Sequence, residues 1–483
     1  MIDTALRREF EAALGADAVL SDPLQLRTYE CDGLTGFREV PALVLLPRST
    51  EEVAAAVALC AGAGLPFVAR GAGTGLSGGA VPVARGVVIS TARMRRVIEF
   101  DPEDRRMVLE PGVTNAEISR IAAPHGLYYA PDPSSQVVCT IGGNVAENSG
   151  GAHCVKYGFT VHHVQALRVV LPDGTTADLG GDAPESAGPD LRGLFIGSEG
   201  TLGITTEITV RLLRTPQSVR TLVADFPTVE QAGGAVSGIM ASGIVPAAVE
   251  MLDSLAIEAC EAAVHAGYSP EATAALVVEL DGMEAECDEQ FESVVALCRE
   301  HGTTNIRIAA DARERALIWQ GRKAAFAAVG RISPDYFVQD GVVPRTRLAE
   351  ALTRIADMSR AEGLRVANVF HAGDGNLHPL VLFDEQAGEA EQAERLSREI
   401  AEMCVELGGS LSGEHGIGLD KACSMPLMFG ETDLAAMARL RTAFDPAGLA
   451  NPGKVLPTPR LCGERPGRYR PHPLEAAGVI ERW

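Results

Sequence analysis

The sequence predicts an α+β protein built in two parts. Three observations carry this expectation. Residues 42–79 read as strand, helix, strand and then a glycine-rich loop. Two further clusters, 140–151 and 197–204, are rich in glycine with amide and hydroxyl side chains. Near residue 215 the pattern changes to strands alternating with helices. The 483 residues suffice for two or three domains. A hydrophobic fraction of 46% beside 22% charged residues is the mixture of a globular chain. The formal net charge of −22 argues against nucleic acid and anionic membrane as partners, since both need basic surface.

The ten cysteines include no Cys-x-x-Cys pair, which argues against an iron–sulfur cluster or a cysteine-based zinc site. Their scatter suits a reducing cytosol. The start, Met1-Ile2-Asp3, lacks the basic and apolar regions of a signal peptide, and no apolar run approaches a membrane span. The expectation is a cytoplasmic protein.

In chain order, residues 3–15 read as a short helix and 42–46 as a strand closed by Pro47. Ser49 followed by Glu52 forms a capping-box pattern for a helix to about Gly64. A strand at 66–70 enters the loop Gly71-Ala72-Gly73-Thr74-Gly75-Leu76-Ser77-Gly78-Gly79. The spacing Gly73-x-Gly75-x-x-Gly78 matches the dinucleotide fingerprint, but that fingerprint opens a helix, whereas Pro82, Gly86 and a strand at 87–90 follow here. The Rossmann reading therefore fails. The physical role survives, because glycines let backbone N–H groups approach a pyrophosphate. A plain glycine-rich surface loop is the alternative.

Strands are expected at 97–100 and 107–110, and a helix capped by Thr114 to His125. Residues 131–151 are too long and too rich in amides and hydroxyls for a turn alone, and they offer donors to a polar cofactor. A strand at 164–171 ends at Pro172-Asp173-Gly174, and the 197–204 cluster precedes a strand to Leu212. Beyond 215, strands at 220–226, 247–252, 274–280 and 305–309 alternate with helices near 228–242, 254–265, 284–301 and 311–329. This suggests a repeated α+β unit, an antiparallel sheet with helices on one side. Helices near 345–362 and 386–408 follow, and residues 463–483 read as loosely ordered.

Apolar residues flank His371-Ala372-Gly373-Asp374-Gly375-Asn376-Leu377-His378 on both sides, so the glycine-rich core reads as a tight connection between two strands. The two imidazoles then project to one side, as a metal-ligand pair in want of a third member. Glu414 and His415, ringed by glycines in Gly413-Glu414-His415-Gly416-Ile417-Gly418, offer a carboxylate and another imidazole. A His₂Glu set suits zinc, iron or manganese. Two satisfied polar residues decorating a hairpin are the alternative. Arg322, on a helix, is either a surface charge or a clamp for a carboxylate.

Segments 71–79, 140–151, 197–204, Arg322-Lys323-Ala324-Ala325-Phe326, 331–336, 368–379 and 412–418 together resemble flavoproteins of the vanillyl-alcohol oxidase type. The similarity is to their FAD-dependent D-2-hydroxyacid dehydrogenases, the glycolate-oxidising branch above all. The resemblance covers nearly the whole chain. It implies a two-part FAD-binding domain over 1–214, a ferredoxin-like α+β substrate (cap) domain over 215–440, and a segment 441–483 that returns to the first domain. The first loop, Arg70 with residues 71–79, would wrap the FAD pyrophosphate. Pro131, Asp132, Ser134, Ser135, Thr140, Gly142, Gly143, Asn144, Ala146, Asn148, Gly150, Gly151, Glu199, Gly200, Gly203 and Ile204 would line the rest, with Pro47, Pro111, Gly112 and Asn451 completing the site.

Residues 70–80 contain no histidine for covalent attachment, so FAD is expected to be non-covalent, although His153 and Cys154 follow the second cluster closely. The resemblance further implies a divalent metal on His371, His378 and Glu414, His415 as catalytic base, Asn376 near the substrate and Arg322 as its clamp. The reaction implied is oxidation of a 2-hydroxy acid, glycolate first and D-lactate next, to the 2-oxo acid. The partners implied are a second FAD-domain subunit and an iron–sulfur subunit, through which the protein would sit peripherally at the inner face of a membrane. Competing readings are a stand-alone dehydrogenase using quinone or cytochrome, a metal hydrolase built on the histidines, and a non-catalytic FAD-binding subunit.

Overall fold

Strand edges and helix caps along the chain assemble into two compact units in the computed structural model, which describes residues 2–183 and 188–458. The first unit comprises Met1–Ser149, Phe159–Arg214 and Glu414–Trp483; the second comprises Gly150–Gly158 and Thr215–Gly413. The return to the first unit thus begins at Glu414, ahead of the expected 441. Residues 463–483, expected to be loosely ordered, lie outside the described residues.

In the first unit, Leu43–Leu45 and Phe67–Arg70 both pair in parallel with Val87–Ser90. The helix Thr50–Gly62 connects them. Ser49 caps it by accepting from Glu52 N at 3.3 Å, while the Glu52 carboxylate reaches back to Arg48 N at 2.8 Å, one residue beyond the usual box partner. A second sheet is antiparallel, in the order Val97–Asp101, Arg106–Leu109, Ile204–Arg211, Val164–Val170, Thr176–Gly180. The glycine- and amide-rich stretch at 140–151 contains a helix, Ile141–Glu147, capped by Thr140 and ended by Asn148 with φ 52°. Its Gly142-Gly143 pair, poor in helix propensity, hides it from sequence. The late segment closes the first sheet's edge: Leu449 O accepts from Phe67 N at 2.9 Å, and Asn451 N donates to Phe67 O at 2.8 Å.

The second unit is a sheet in the order Asn305–Ile308, Ser218–Phe226, Ala274–Gly282, Ala248–Asp253, Val366–His371, Asn376–Leu377, Gly341–Val342. Pro379–Phe383 joins it beside Val366–His371 and pairs with Asp335–Val338. Its helices cover both faces, not one. Leu222, Phe226, Met251 and Leu276 pack with the helices Val229–Ala241, Glu284–Glu300, Leu348–Glu362 and Ala390–Glu406. Val223, Leu252, Ala275 and Val277 face Ser254–Val264 and Ala312–Val329. The physical reason is legible in the central strands, where neighbouring residues on both faces are apolar.

The segment Gly150–Gly158 is fastened to this sheet by polar contacts. Lys156 Nζ lies 2.5 Å from Asp281 Oδ1, Tyr157 OH donates to Asp281 Oδ2 at 2.7 Å, and His153 Nε2 lies 3.1 Å from Glu279 Oε1. Among the described residues no helix is long and apolar enough to cross a membrane.

Phe226, fully buried, should lose about 3–5 kcal/mol of unfolding free energy when replaced by alanine. Leu24→Ala, at a residue 76% exposed, should change it by about 0.5 kcal/mol or less. Urea unfolding followed by circular dichroism compares the two.

Candidate active site

The three glycine clusters of the first unit converge on one cleft. Its walls are Ala69, Arg70, Gly71, Thr91, Pro111, Gly142, Gly143, Ala146, Phe195, Ser198, Gly200, Gly203, Ile204 and Thr205. Five of these fourteen are glycines, which open backbone to the cleft beside the side chains of the other nine. The buried Ser198 Oγ has no protein partner. A cleft with open glycine backbone and an orphaned hydroxyl fits a polar, phosphate-bearing cofactor.

Nine expected cofactor residues line this cleft: Arg70, Gly71, Pro111, Gly142, Gly143, Ala146, Gly200, Gly203 and Ile204. Ala69, Thr91, Phe195, Ser198 and Thr205 join them without having been singled out in the sequence. Other expected donors are engaged with the chain. Asn144 Oδ1 accepts from Asn115 Nδ2 at 3.1 Å, and Asn148 Oδ1 accepts from Val161 N at 2.9 Å. Asn451 Nδ2 donates to Gly79 O at 2.9 Å and Glu199 O at 2.7 Å, tying the first cluster to the third. Arg70 Nη1 donates to Cys31 O at 2.8 Å, and a Cβ on Gly73 would collide with its guanidinium. Gly150 and Gly151 belong to the second unit, as does His153, whose ring meets Glu279 and, at a centroid distance of 5.3 Å, Trp319.

In the second unit the antiparallel register pairs His371 with both Glu250 and Asn376. The imidazoles of His371 and His378 meet edge to face, with centroids 5.1 Å apart. His371 is 4% and His378 1% exposed. Each ring is held through Nδ1. His371 Nδ1 lies 2.8 Å from Glu250 Oε1, and His378 Nδ1 lies 3.2 Å from Gln339 O. A carbonyl oxygen can only accept, so His378 donates from Nδ1. A carboxylate partner acts in the same way on His371. Two buried imidazoles held in place through Nδ1 are a donor pair that suits a divalent metal.

Arg322 is 2% exposed on the helix Ala312–Val329, and its guanidinium faces Glu250. Nε donates to Glu250 Oε2 at 2.7 Å, and Nη2 lies 2.6 Å from the same oxygen. Glu250 has no exposed surface and joins Arg322 to His371. The surface-charge alternative for Arg322 is thereby excluded. Phe326, one helical turn on, packs against the His378 ring with centroids 5.9 Å apart. Asp340, also without exposure, accepts from Ser412 Oγ at 2.5 Å and Gly413 N at 3.0 Å. A Cβ on Gly413 would collide with the Asn376 amide, so this backbone lies directly on Asn376.

Glu414 follows Gly413 and opens the last segment of the first unit. His415 Nε2 lies 3.8 Å from Glu414 Oε1. The turn beyond is bolted down: Ser77 O accepts from Leu419 N at 2.9 Å and Asp420 N at 3.0 Å. Sequence reasoning missed Glu250, Gln339 and Asp340. For Glu250 a signal existed, one carboxylate inside the apolar run Ala247-Ala248-Val249-Glu250-Met251-Leu252.

Two family models match the chain, on either side of the junction near residue 214. Residues 41–180 match the FAD binding domain family, and residues 215–455 match the C-terminal domain of FAD linked oxidases. The chain is 51% identical over 447 residues to the glycolate oxidase subunit GlcD of Escherichia coli K12, covering 92% of this chain and 90% of that one. It is 34% identical over 427 residues to the mitochondrial D-lactate dehydrogenase [cytochrome] of Arabidopsis thaliana, covering 88% and 74%. Among solved structures, p-cresol methylhydroxylase with substrate bound shares the fold, with a TM-score of 0.78 at 18% identity over 93% of this chain and 96% of that one.

Removing one partner of the buried ion pair strands the other. Arg322→Ala should therefore lower unfolding free energy by about 3–5 kcal/mol. Arg322→Met combined with Glu250→Gln should recover part of that loss. A single Arg322→Ala variant as stable as the parent in urea would contradict the pairing.

Proposed function

Because this chain belongs to the FAD-linked oxidases, we propose that it is the FAD-carrying subunit of a glycolate-oxidising enzyme, one that takes D-lactate second. As a member it is an FAD-linked oxidoreductase acting on 2-hydroxy acids. One observation carries the finer reading: His371 and His378 are buried together with their Nδ1 atoms held, in a chain half identical to a glycolate oxidase subunit.

The residues are assigned as follows. FAD occupies the glycine-walled cleft without a covalent bond, since residues 70–80 hold no histidine and His153 is engaged by Glu279. When bound there, FAD supplies the hydride acceptor at N5. His371, His378 and Glu414 hold a divalent ion, zinc, manganese or iron, which when bound lowers the pKa of the substrate hydroxyl. Supporting this set are the two imidazoles held through Nδ1 and the anchoring of Gly413, the residue before Glu414, on Asp340.

His415 takes the hydroxyl proton, work that suits an imidazole near neutral pH. Arg322 supplies the positive charge for the substrate carboxylate, with Glu250 fixing its orientation. Asn376, its amide against Gly413, offers a hydrogen bond to substrate. The protein's share is positioning and electrostatics, while the redox chemistry is the cofactor's. Electrons leave toward a second FAD-domain subunit and an iron–sulfur subunit. Those partners would place an otherwise cytoplasmic chain at the inner membrane face.

Anaerobic mixing with glycolate, D-lactate, L-lactate and D-2-hydroxyglutarate, followed at the visible flavin band, tests this directly. Glycolate should bleach the band fastest. A yellow protein that none of the four bleaches contradicts the substrate assignment. His415→Ala should slow the bleaching about 10²- to 10⁴-fold with flavin content unchanged. Parental kinetics in that variant would remove His415 as the base.

A further inference from the structure

A pair of buried carboxyls stands on opposite cofactor clusters of the first unit. Glu147 ends the helix Ile141–Glu147, and Glu199 sits in the third cluster with φ 52°. Their backbones are already tied, since Ala146 O accepts from Glu199 N at 2.8 Å. Both side chains lie against Gly416. A Cβ there would collide with Glu147 Oε2 and stand 2.8 Å from Glu199 Oε1. On the other side lies Gly79, whose Cβ would stand 2.8 Å from Glu147 Oε1 and 3.4 Å from Glu199 Oε2. The pair is therefore packed between the first glycine loop and the turn that follows His415.

That turn needs support. Gly416 has φ 87° and Gly418 has φ 53°, a left-handed path that side chains disfavour. Glu199 Oε1 accepts from Ile417 N at 2.7 Å. Glu147 Oε2 and Glu199 Oε2 are buried with no protein donor. Two buried carboxyls packed against the same glycine repel when both are ionised, and keeping one of them protonated removes that repulsion.

We propose that Glu147 and Glu199 are positioning residues, a carboxylic acid–carboxylate pair that fixes the Gly416–Gly418 turn, and through it the presentation of His415. This rests on the reading of His415 as the base. A displaced base is costly, since a misplacement of about 1 Å can lower a rate about a hundredfold.

The charged groups facing the pair are Asp32, Lys421 and Lys454. Lys454 Nζ is held by Val81 O at 2.7 Å and Asn451 Oδ1 at 3.0 Å, and Lys421 Nζ lies 3.4 Å from Gly416 O. Asp32 Oδ2 accepts from Ala80 N at 3.4 Å, and burial pushes its carboxyl up to about 6. Burial, then the neighbouring Glu199 charge, holds Glu147 well above the usual carboxylate range, and burial pushes Glu199 up to about 7. Glu199 ionises first, which leaves one carboxyl protonated; that remaining proton is lost as pH rises through the higher value, that of Glu147, so the latch opens on the alkaline side.

The experiment follows anaerobic flavin reduction by saturating glycolate from about pH 6 to 10 in the holoenzyme and in Glu147→Ala, Glu147→Gln and His415→Ala. Glu147→Ala should reduce flavin about 10- to 100-fold more slowly at neutral pH, with little change in the glycolate concentration for half-saturation. Glu147→Gln, whose amide donates without a proton to lose, should recover most of that rate and shift the alkaline decline upward by about one pH unit or more. An unaltered rate in Glu147→Ala, or the parental alkaline decline in Glu147→Gln, overturns the pair as a latch while an inactive His415→Ala leaves the base in place. A fully active His415→Ala sinks the base assignment and the latch with it.

Discussion

A single carboxylate deep in the second unit governs how its polar residues can be arranged. Glu250 has no exposed surface, and a buried charge of this kind is tolerated only when it is paired and hydrogen-bonded. Its two oxygens divide the work. One receives His371 Nδ1 at 2.8 Å, and the other receives Arg322 Nε at 2.7 Å. That division fixes the ring of His371 and the direction of Arg322 together. It also accounts for the register, because Glu250 and His371 stand opposite one another in the antiparallel ladder. The apolar strands on either side seal the pair from water, which strengthens both contacts.

The first unit reaches order by a different means. Its glycine clusters hold few side chains of their own, so buried polar residues from elsewhere bind their backbones. Asn451 joins Gly79 to Glu199, Lys454 holds Val81, and Arg70 lies across the space that Gly73 leaves open. The amides that a sequence reader assigns to a cofactor thus serve first as staples for the chain. What lines the cleft is glycine backbone together with side chains that include Arg70, Thr91, Phe195, Ser198 and Thr205.

Much of this was legible because glycine and proline mark backbone positions directly. The three clusters, the strand Val87–Ser90 and the connection between His371 and His378 follow from such residues. The shared side of the two imidazoles follows from strand alternation. What escaped the sequence has definite causes. The helix Ile141–Glu147 hides behind two glycines, and the second layer of helices hides because buried strands lose the alternation that shows which face is covered. Arg322 reads as a charge for solvent or substrate until Glu250 is seen beside it, and that contact spans 72 residues of sequence. The early return at Glu414 falls inside the glycine-ringed segment 413–418, which reads as part of a site rather than as a boundary.

The central claim is that a flavin-binding unit and a metal-binding histidine pair coexist in one chain. Metal and flavin content of the purified protein, measured on the same sample by elemental analysis and by released-flavin absorbance, tests it most directly. The account predicts about one divalent ion per FAD. In His371→Ala combined with His378→Ala the ion should be lost while the flavin stays. Full flavin with no divalent ion in the parent, or an ion that persists in the double variant, would contradict it.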